Sequence, residues 1–289
     1  MFNRVLHNAG LGILCISSWL ISFSSAYAEI IEHKLASGYI ASAEYHKGES
    51  KSPSIILLHG FLQTRESPTI ARLFNALVDS GYTVLAPNLT LGISHRKQSL
   101  ACEAIHSHSM QSDIAELEHW SRWLHKKSAD KIILIGHSTG SVHQIAYMDN
   151  YANEHIKQGI FISVSYFGVA PASNETVADS KRAQKLLKNK SHELSKFGLS
   201  YCKDYVSSPK AYLSYYNWQQ KKLLSAMKKI KPPITVIIGS QDQRLSKSWI
   251  NSMKKTGINI STVTGAGHFF DNEFEFDLQD TVESILQTN

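Results

Sequence analysis

With 289 residues, 43% of them hydrophobic, and a formal net charge of +6, the chain suits one large globular domain or two small ones. It holds no internal repeat and no low-complexity tract, which excludes repeat and fibrous architectures. After the first 28 residues no stretch is apolar enough to span a bilayer, which excludes a protein with several membrane spans.

Residues 1–28 differ from the rest. Arg4 gives a positive start, an apolar stretch runs from Leu11 to Phe23, and Ala26 and Ala28 stand where a signal peptidase requires small residues. The stretch is short for a membrane span and ends in serines. It reads as a cleaved signal peptide, with a retained anchor as the alternative. Cys15 follows Leu14 rather than a small residue, which argues against a lipoprotein. The expected mature chain is therefore exported, periplasmic or secreted, and a nucleic-acid partner is not expected for it. It keeps Cys102 and Cys202, an even pair that suggests a disulfide in an oxidising compartment. Two buried thiols are the other possibility.

The mature chain opens with two alternating runs, EIIEHKLA and YIASAEYHKG, separated by Ser37 and Gly38, which read as an edge β-hairpin. SIILLHG then reads as a strand buried on both faces. Ser67-Pro68 opens a helix with Ile70, Leu73, Phe74, Leu77 and Val78 on one side, and Ser80-Gly81 closes it. YTVLAPNL is a second buried strand. Met110, Ile114, Leu117 and Leu124 mark a second amphipathic helix. KIILIGHS is a third strand that runs directly into a helix, and GIFISVSYFG is a fourth. From about 171 to 231 no apolar strand is evident, and the stretch reads as a helical insertion. The alternation then resumes with PITVIIGS, a helix over 246–256, INISTVTG and a closing helix over 273–287. Such alternation calls for an α/β fold, a mostly parallel central sheet with helices on both faces, interrupted once by a cap.

The insertion is unusual in charge. Lys181 to Lys231 holds 13 Lys or Arg and two acids, Glu193 and Asp204, beside an otherwise acidic mature body. It points either to an anionic partner, such as a membrane surface, or to a solvated lysine-rich face. Its Tyr201, Tyr205, Tyr212, Tyr215, Tyr216 and Trp218 would form an acyl pocket, a membrane-facing rim or the insertion's own core.

The chemistry centres on GHSTG, residues 136–140. It ends a buried strand and starts a helix, so Gly136 and Gly140 would let both pack around a strained turn that exposes Ser138. A serine hydroxyl needs a base, and the base needs an orienting acid. His268, in TVTGAGHFF, follows the last strand in a glycine-loosened loop. Asp242, in VIIGSQDQR, follows the next-to-last strand, with Asp271 as a rival acid. Loops at strand C-termini gather at one edge of a parallel sheet, which is where Ser138 sits. The Phe61 and Thr139 N–H groups are the candidate oxyanion donors, with His59-Gly60 shaping the turn that aims the first. His59, His106 and His108 are candidates for the substrate mouth. His106 and His108, with His95 near, could also take a metal, but no carboxylate or thiolate joins them at a familiar spacing, and no metal is expected.

LLHGF, GHSTG, GSQD and GAGHFF stand in an order and context that resemble the α/β-hydrolase fold serine hydrolases over about residues 30–289. The resemblance implies acyl transfer through an acyl-enzyme by Ser138, Asp242 and His268, without cofactor, and a lid where the insertion falls. It does not imply a substrate. Cleavage of a carboxylic ester, small-molecule or lipid, is the expectation. The alternatives are a lysophospholipase or lipase, an amidase or peptidase, and a non-catalytic binder, which would not need all three groups in register.

Overall fold

In the computed structural model, residues 28–48, 53–128, 130–151, 154–167 and 174–288 are described. The signal segment lies outside them apart from Ala28, as do the first residues of the cap insertion. Ten strands and eight helices follow in chain order: β1 (Glu29–Lys34), β2 (Ile40–His46), β3 (Ser54–Leu58), α1 (Pro68–Asp79), β4 (Val84–Asn88), α2 (Met110–Ser128), β5 (Ile132–His137), α3 (Thr139–Asn150), β6 (Ile156–Ile162), α4 (Asn174–Lys188), β7 (Ser195–Leu199), β8 (Cys202–Ser207), α5 (Pro209–Tyr216), α6 (Gln220–Lys229), β9 (Ile234–Gly239), α7 (Lys247–Lys254), β10 (Asn259–Val263) and α8 (Phe274–Gln287).

Eight strands form one sheet in the order β1-β2-β4-β3-β5-β6-β9-β10. β1 and β2 are an antiparallel hairpin at its edge, β2 runs antiparallel to β4, and the rest are parallel. The apolar runs are continuous because both faces are covered. Alternate residues serve opposite layers. Ile55, Leu57, Ile133 and Ile135 face a layer with Leu73 and Leu77 of α1 and Leu278 and Val282 of α8. Ile56, Leu58, Ile132 and Leu134 face the other, with Ile114 and Leu117 of α2, Val142 and Ile145 of α3, and Leu223 of α6. The two-residue period of each strand thus feeds two cores from one run.

The chain reverses direction across the sheet at β3. β4 lies on one side of it and β5 on the other. Such a switch leaves a crevice at the strands' C-terminal ends, and ligands bind there in open α/β sheets.

The insertion differs from the expected all-helical cap. It holds α4, α5 and α6 together with an antiparallel hairpin, β7-β8, turned at Ser200-Tyr201. Short length and lysine on the outer face hid it: Phe197, Leu199, Cys202 and Tyr205 point inward while Lys196 and Lys203 are exposed. The loop before α2 runs along this hairpin, with the His106 N–H donating to the Val206 carbonyl at 2.8 Å. Cys102 in that loop and Cys202 on β8 stand with Cα atoms 5.3 Å apart and sulfurs 1.98 Å apart. Most cap aromatics are core: Tyr205, Tyr212, Tyr215 and Trp218 are buried, and Phe197 stacks on Tyr212 at 4.4 Å. Tyr201 alone of the hairpin's tyrosines is exposed.

Candidate active site

Ser138 occupies the turn between β5 and α3 with φ 56° and ψ −123°. Few side chains adopt that region, and holding one there costs about 1–3 kcal/mol. Its surroundings hold the turn close. A Cβ on Gly140 would meet the His59 carbonyl oxygen at 2.4 Å, and one on Gly136 would meet the Ser141 nitrogen at 2.7 Å. The buried Gln144 side chain donates to the carbonyls of Ile56 and Ile135, both at 3.1 Å, tying α3 to β3 and β5. Ser141 Oγ donates to the Gly136 carbonyl at 2.7 Å. The two glycines therefore admit backbone, and the polar residues of α3 lock it.

Ser138 Oγ lies 3.0 Å from His268 Nε2, and His268 Nδ1 lies 2.8 Å from Asp242 Oδ2. With Asp242 ionised, Nδ1 carries the proton and Nε2 is free to accept from the serine hydroxyl. All three residues are buried. Asp242 Oδ1 accepts the Arg244 N–H at 2.9 Å. Burial pushes the Asp242 carboxyl upward, but the hydrogen bond and charge of His268 and the Arg244 N–H outweigh it and hold it below its ordinary value. Asp271, the rival acid, is exposed. The His268 loop is braced from two elements: His137 Nε2 donates to the His268 carbonyl at 2.8 Å, and Thr69 Oγ1 donates to the Phe269 carbonyl at 2.9 Å. His137 is needed as a neutral donor, and burial, then the neighbouring His268, push its pKa down to about 3.

Phe61 and Thr139 flank the serine with backbone N–H groups that have no hydrogen-bond partner among the described residues. The turn carrying Phe61 touches the elbow directly, since a Cβ on Gly60 would lie 3.5 Å from the Ser138 Cβ. His59 sets its orientation. Nδ1 donates to the Gly60 carbonyl at 2.9 Å, while Nε2 accepts the Leu89 N–H at 3.2 Å. The Gly60 carbonyl and the Phe61 N–H belong to one planar trans peptide and point opposite ways, so anchoring the first aims the second. Burial, then Arg96, push the His59 pKa down to about 3, which keeps this tautomer neutral.

The substrate-mouth expectation for His59, His106 and His108 does not match their positions. All three are buried, and none lines the cleft above Ser138. His106 stacks on Tyr205 at 4.1 Å under the cap hairpin. His108 faces Tyr215 and Asp113, where His143 Nε2 also meets Asp113 Oδ2 at 3.1 Å. That cluster joins α2, α3 and the cap's α5 rather than holding a ligand. Burial opposes the Asp113 charge, but His108 and His143 outweigh it and keep the carboxyl well below its usual range. His95 is elsewhere, paired with Glu32 at 2.8 Å. Among the described residues no group of three or more His, Cys, Asp or Glu is placed to hold a metal.

Ser138 opens into a cleft of about 250 Å³ lined also by Phe61, Gln63, Tyr166, Tyr201, Arg244 and Phe269. The cap supplies Tyr201, whose hydroxyl donates to the Phe61 carbonyl at 3.0 Å. Tyr201 is the one member of the cap aromatics named from the sequence that the structure places in this cleft, and Arg244 was not named from the sequence. The proximity of Arg244 to Asp242 was the available signal.

A family model described as alpha/beta hydrolase fold matches residues 53–262, more than half of the chain. The chain belongs to the alpha/beta hydrolase fold family. Its β3-to-β10 core and the elbow at Ser138 lie within the matched span or directly at its end. Among solved structures this hydrolase is similar to Est1E from Butyrivibrio proteoclasticus, with TM-score 0.63 and 16% identity over 90% of this chain and 98% of that one. It is similar also to an esterase of Pyrococcus furiosus, with TM-score 0.59 and 17% identity over 91% and 92% of the two chains. A thioesterase domain from the curacin biosynthetic pathway gives TM-score 0.62 and 17% identity over 91% and 100%. At these identities the likeness is one of fold. No curated protein matches the chain in sequence.

Proposed function

We propose that the protein is a serine hydrolase that cleaves carboxylic esters through an acyl-enzyme. The observation that carries this reading is the line Ser138–His268–Asp242, with separations of 3.0 and 2.8 Å, ending on a strained serine. Ser138 Oγ attacks the ester carbonyl carbon as His268 Nε2 takes its proton. The carbonyl oxygen becomes the oxyanion, facing the Phe61 and Thr139 N–H groups. Asp242 holds His268 in the tautomer that can accept and stabilises the imidazolium. On collapse the C–O bond to the alcohol breaks, and the alcohol leaves with the proton from His268. Water then attacks the acyl-enzyme with His268 again as base, releasing the carboxylic acid and restoring Ser138. These steps call on no cofactor.

The cleft favours a short ester over a long lipid chain. Of the cap aromatics that could have formed an acyl rim, Tyr205, Tyr212, Tyr215 and Trp218 are buried in the cap's own core and Tyr201 reaches the cleft, which gives little support for a lipase or lysophospholipase. The exposed cap lysines leave contact with an anionic surface as a separate, weaker proposal. Export rests on the leader-like residues 1–28 and on a disulfide between Cys102 and Cys202, which fits an oxidising compartment. Labelling with a fluorophosphonate probe tests the enzyme reading. Wild type is expected to label and Ser138→Ala not to; a folded wild type that stays unlabelled overturns the reading.

A further inference from the structure

Among the described residues, Arg244 is the single charged side chain lining the cleft above Ser138, with neutral neighbours that include Gln63, Ser165, Ser200 and Tyr201. The other described arginines are committed. Arg65, Arg72, Arg122 and Arg182 pair with carboxylates, and Arg96 donates to the Leu89, Gln98 and Gln63 carbonyls. The Arg244 guanidinium has no ion pair or hydrogen bond among the described residues. Its place is nonetheless set from both sides of the triad. Its own N–H holds Asp242, and its guanidinium carbon sits 4.9 Å from the ring centroid of Phe269, the residue after His268. Its charge reaches across the cleft: burial raises the Tyr201 phenol above its ordinary value, and Arg244 opposes that rise. The residue is exposed, and a solvent-facing guanidinium steadied by one ring, with five free donors and no acid to neutralise it, matches a planar or tetrahedral oxyanion.

We propose that Arg244 is a substrate-binding residue, and that the ester cleaved at Ser138 carries a second, non-reacting anionic group, a carboxylate or phosphate, held by its guanidinium. This rests on the hydrolase reading above and names its substrate class. It also gives the cleft a direction, because the reacting carbonyl must lie at Ser138 while the anion lies at Arg244. Neutral esters of the same size would leave the guanidinium with water alone. Because the guanidinium is open to solvent, the expected discrimination is about 3- to 10-fold in kcat/KM.

The test uses one scaffold with the anion on the alcohol side and one with it on the acyl side. 4-Acetoxybenzoate and 4-acetoxyphenyl phosphate are compared with neutral 4-acetoxybenzamide, and monophenyl adipate with its terminal primary amide. The wild-type protein is expected to prefer the anionic ester in at least one series. Which of the carboxylate and phosphate arms gains more distinguishes the two anions. In Arg244→Gln the anionic-to-neutral ratio is expected to fall to about 1, and Arg244→Lys to retain part of it. The ratio cancels any general loss of activity in a variant, and the Asp242 contact comes from the backbone of residue 244, so it does not depend on the side chain. No anionic preference in either series, or a preference that persists in Arg244→Gln, overturns the proposal. If Ser138 still labels with fluorophosphonate in that case, the anion proposal alone falls; if it does not label, the hydrolase reading falls too.

Discussion

Ser138 is held where glycine would be more comfortable, and the cost is measurable. Its φ of 56° is held by the close backbone packing at Gly136 and Gly140 and by the Gln144 hydrogen bonds that tie α3 to β3 and β5. Replacing it by alanine removes the hydroxyl and keeps the Cβ in the strained region. Replacing it by glycine removes both. Relief of about 1–3 kcal/mol is offset by roughly 0.4–1 kcal/mol from the freer unfolded chain. Ser138→Gly is therefore expected to be more stable than Ser138→Ala by about 1 kcal/mol, which is roughly 2–4 °C in Tm for a domain of this size. Thermal melts of the two inactive variants side by side measure it. Equal melting temperatures, or a lower one for the glycine variant, would show that the elbow stores no more strain than the roughly 0.4–1 kcal/mol lost to the freer unfolded chain.

At the scale of elements, the cap hairpin reaches the chemistry through its turn. Tyr201 at the tip donates to the Phe61 carbonyl, and Cys202 beside it stands at bonding distance from Cys102 in the loop before α2. A bond there closes a loop across a sequence separation of 100, worth up to about 5 kcal/mol in the chain-entropy model. The Cys102→Ala/Cys202→Ala variant is expected to lose about 2–5 kcal/mol in urea unfolding, and wild type in reductant to match it. It should also label more slowly, since the tip that steadies Phe61 is less well held. An unchanged urea midpoint would mean that the two cysteines are not bonded. This hairpin is also where the sequence was least legible. β3, β5, β6 and β9 are apolar runs covered on both faces, so composition alone announces them. β7 and β8 have five and six residues, with lysines on one side and cap contacts on the other, so their signal merges with a basic helical stretch. The loop carrying Asp242 was readable because it directly follows the fully buried β9, and the loop carrying His268 was readable from its glycines after β10, a half-exposed edge strand. The burial of His106 and His108 was not, because it depends on the hairpin folding over them.

For the whole molecule, the sheet order converts distant sequence into one site, and the buried histidines that brace it make stability depend on pH. Burial pushes His59 and His137 down to about 3 and His106 down to about 4. In the unfolded chain each titrates near its ordinary value of about 6.5. Between roughly pH 4 and 6.5 the unfolded state thus holds three protons that the folded state lacks, so this contribution is complete above about 6.5 and is lost as pH falls. Glu116 works the other way. Burial raises it to about 7 although it accepts from the Thr90 N–H and hydroxyl, so between about 4.5 and 7 the folded state keeps a proton the unfolded state has released. Its contribution falls as pH rises through that window. Three against one leaves a net rise of stability with pH, and each proton of difference is worth about 1.4 kcal/mol per pH unit. The urea midpoint is therefore expected to drop clearly from pH 7 to pH 5. Glu116→Gln should steepen the drop, because it removes the opposing proton. A midpoint that is flat over this range, or that rises on acidification, would mean that these rings are already charged in the folded protein. His59 could not then keep the tautomer that aims the Phe61 N–H, nor His137 act as the neutral donor that braces the His268 loop.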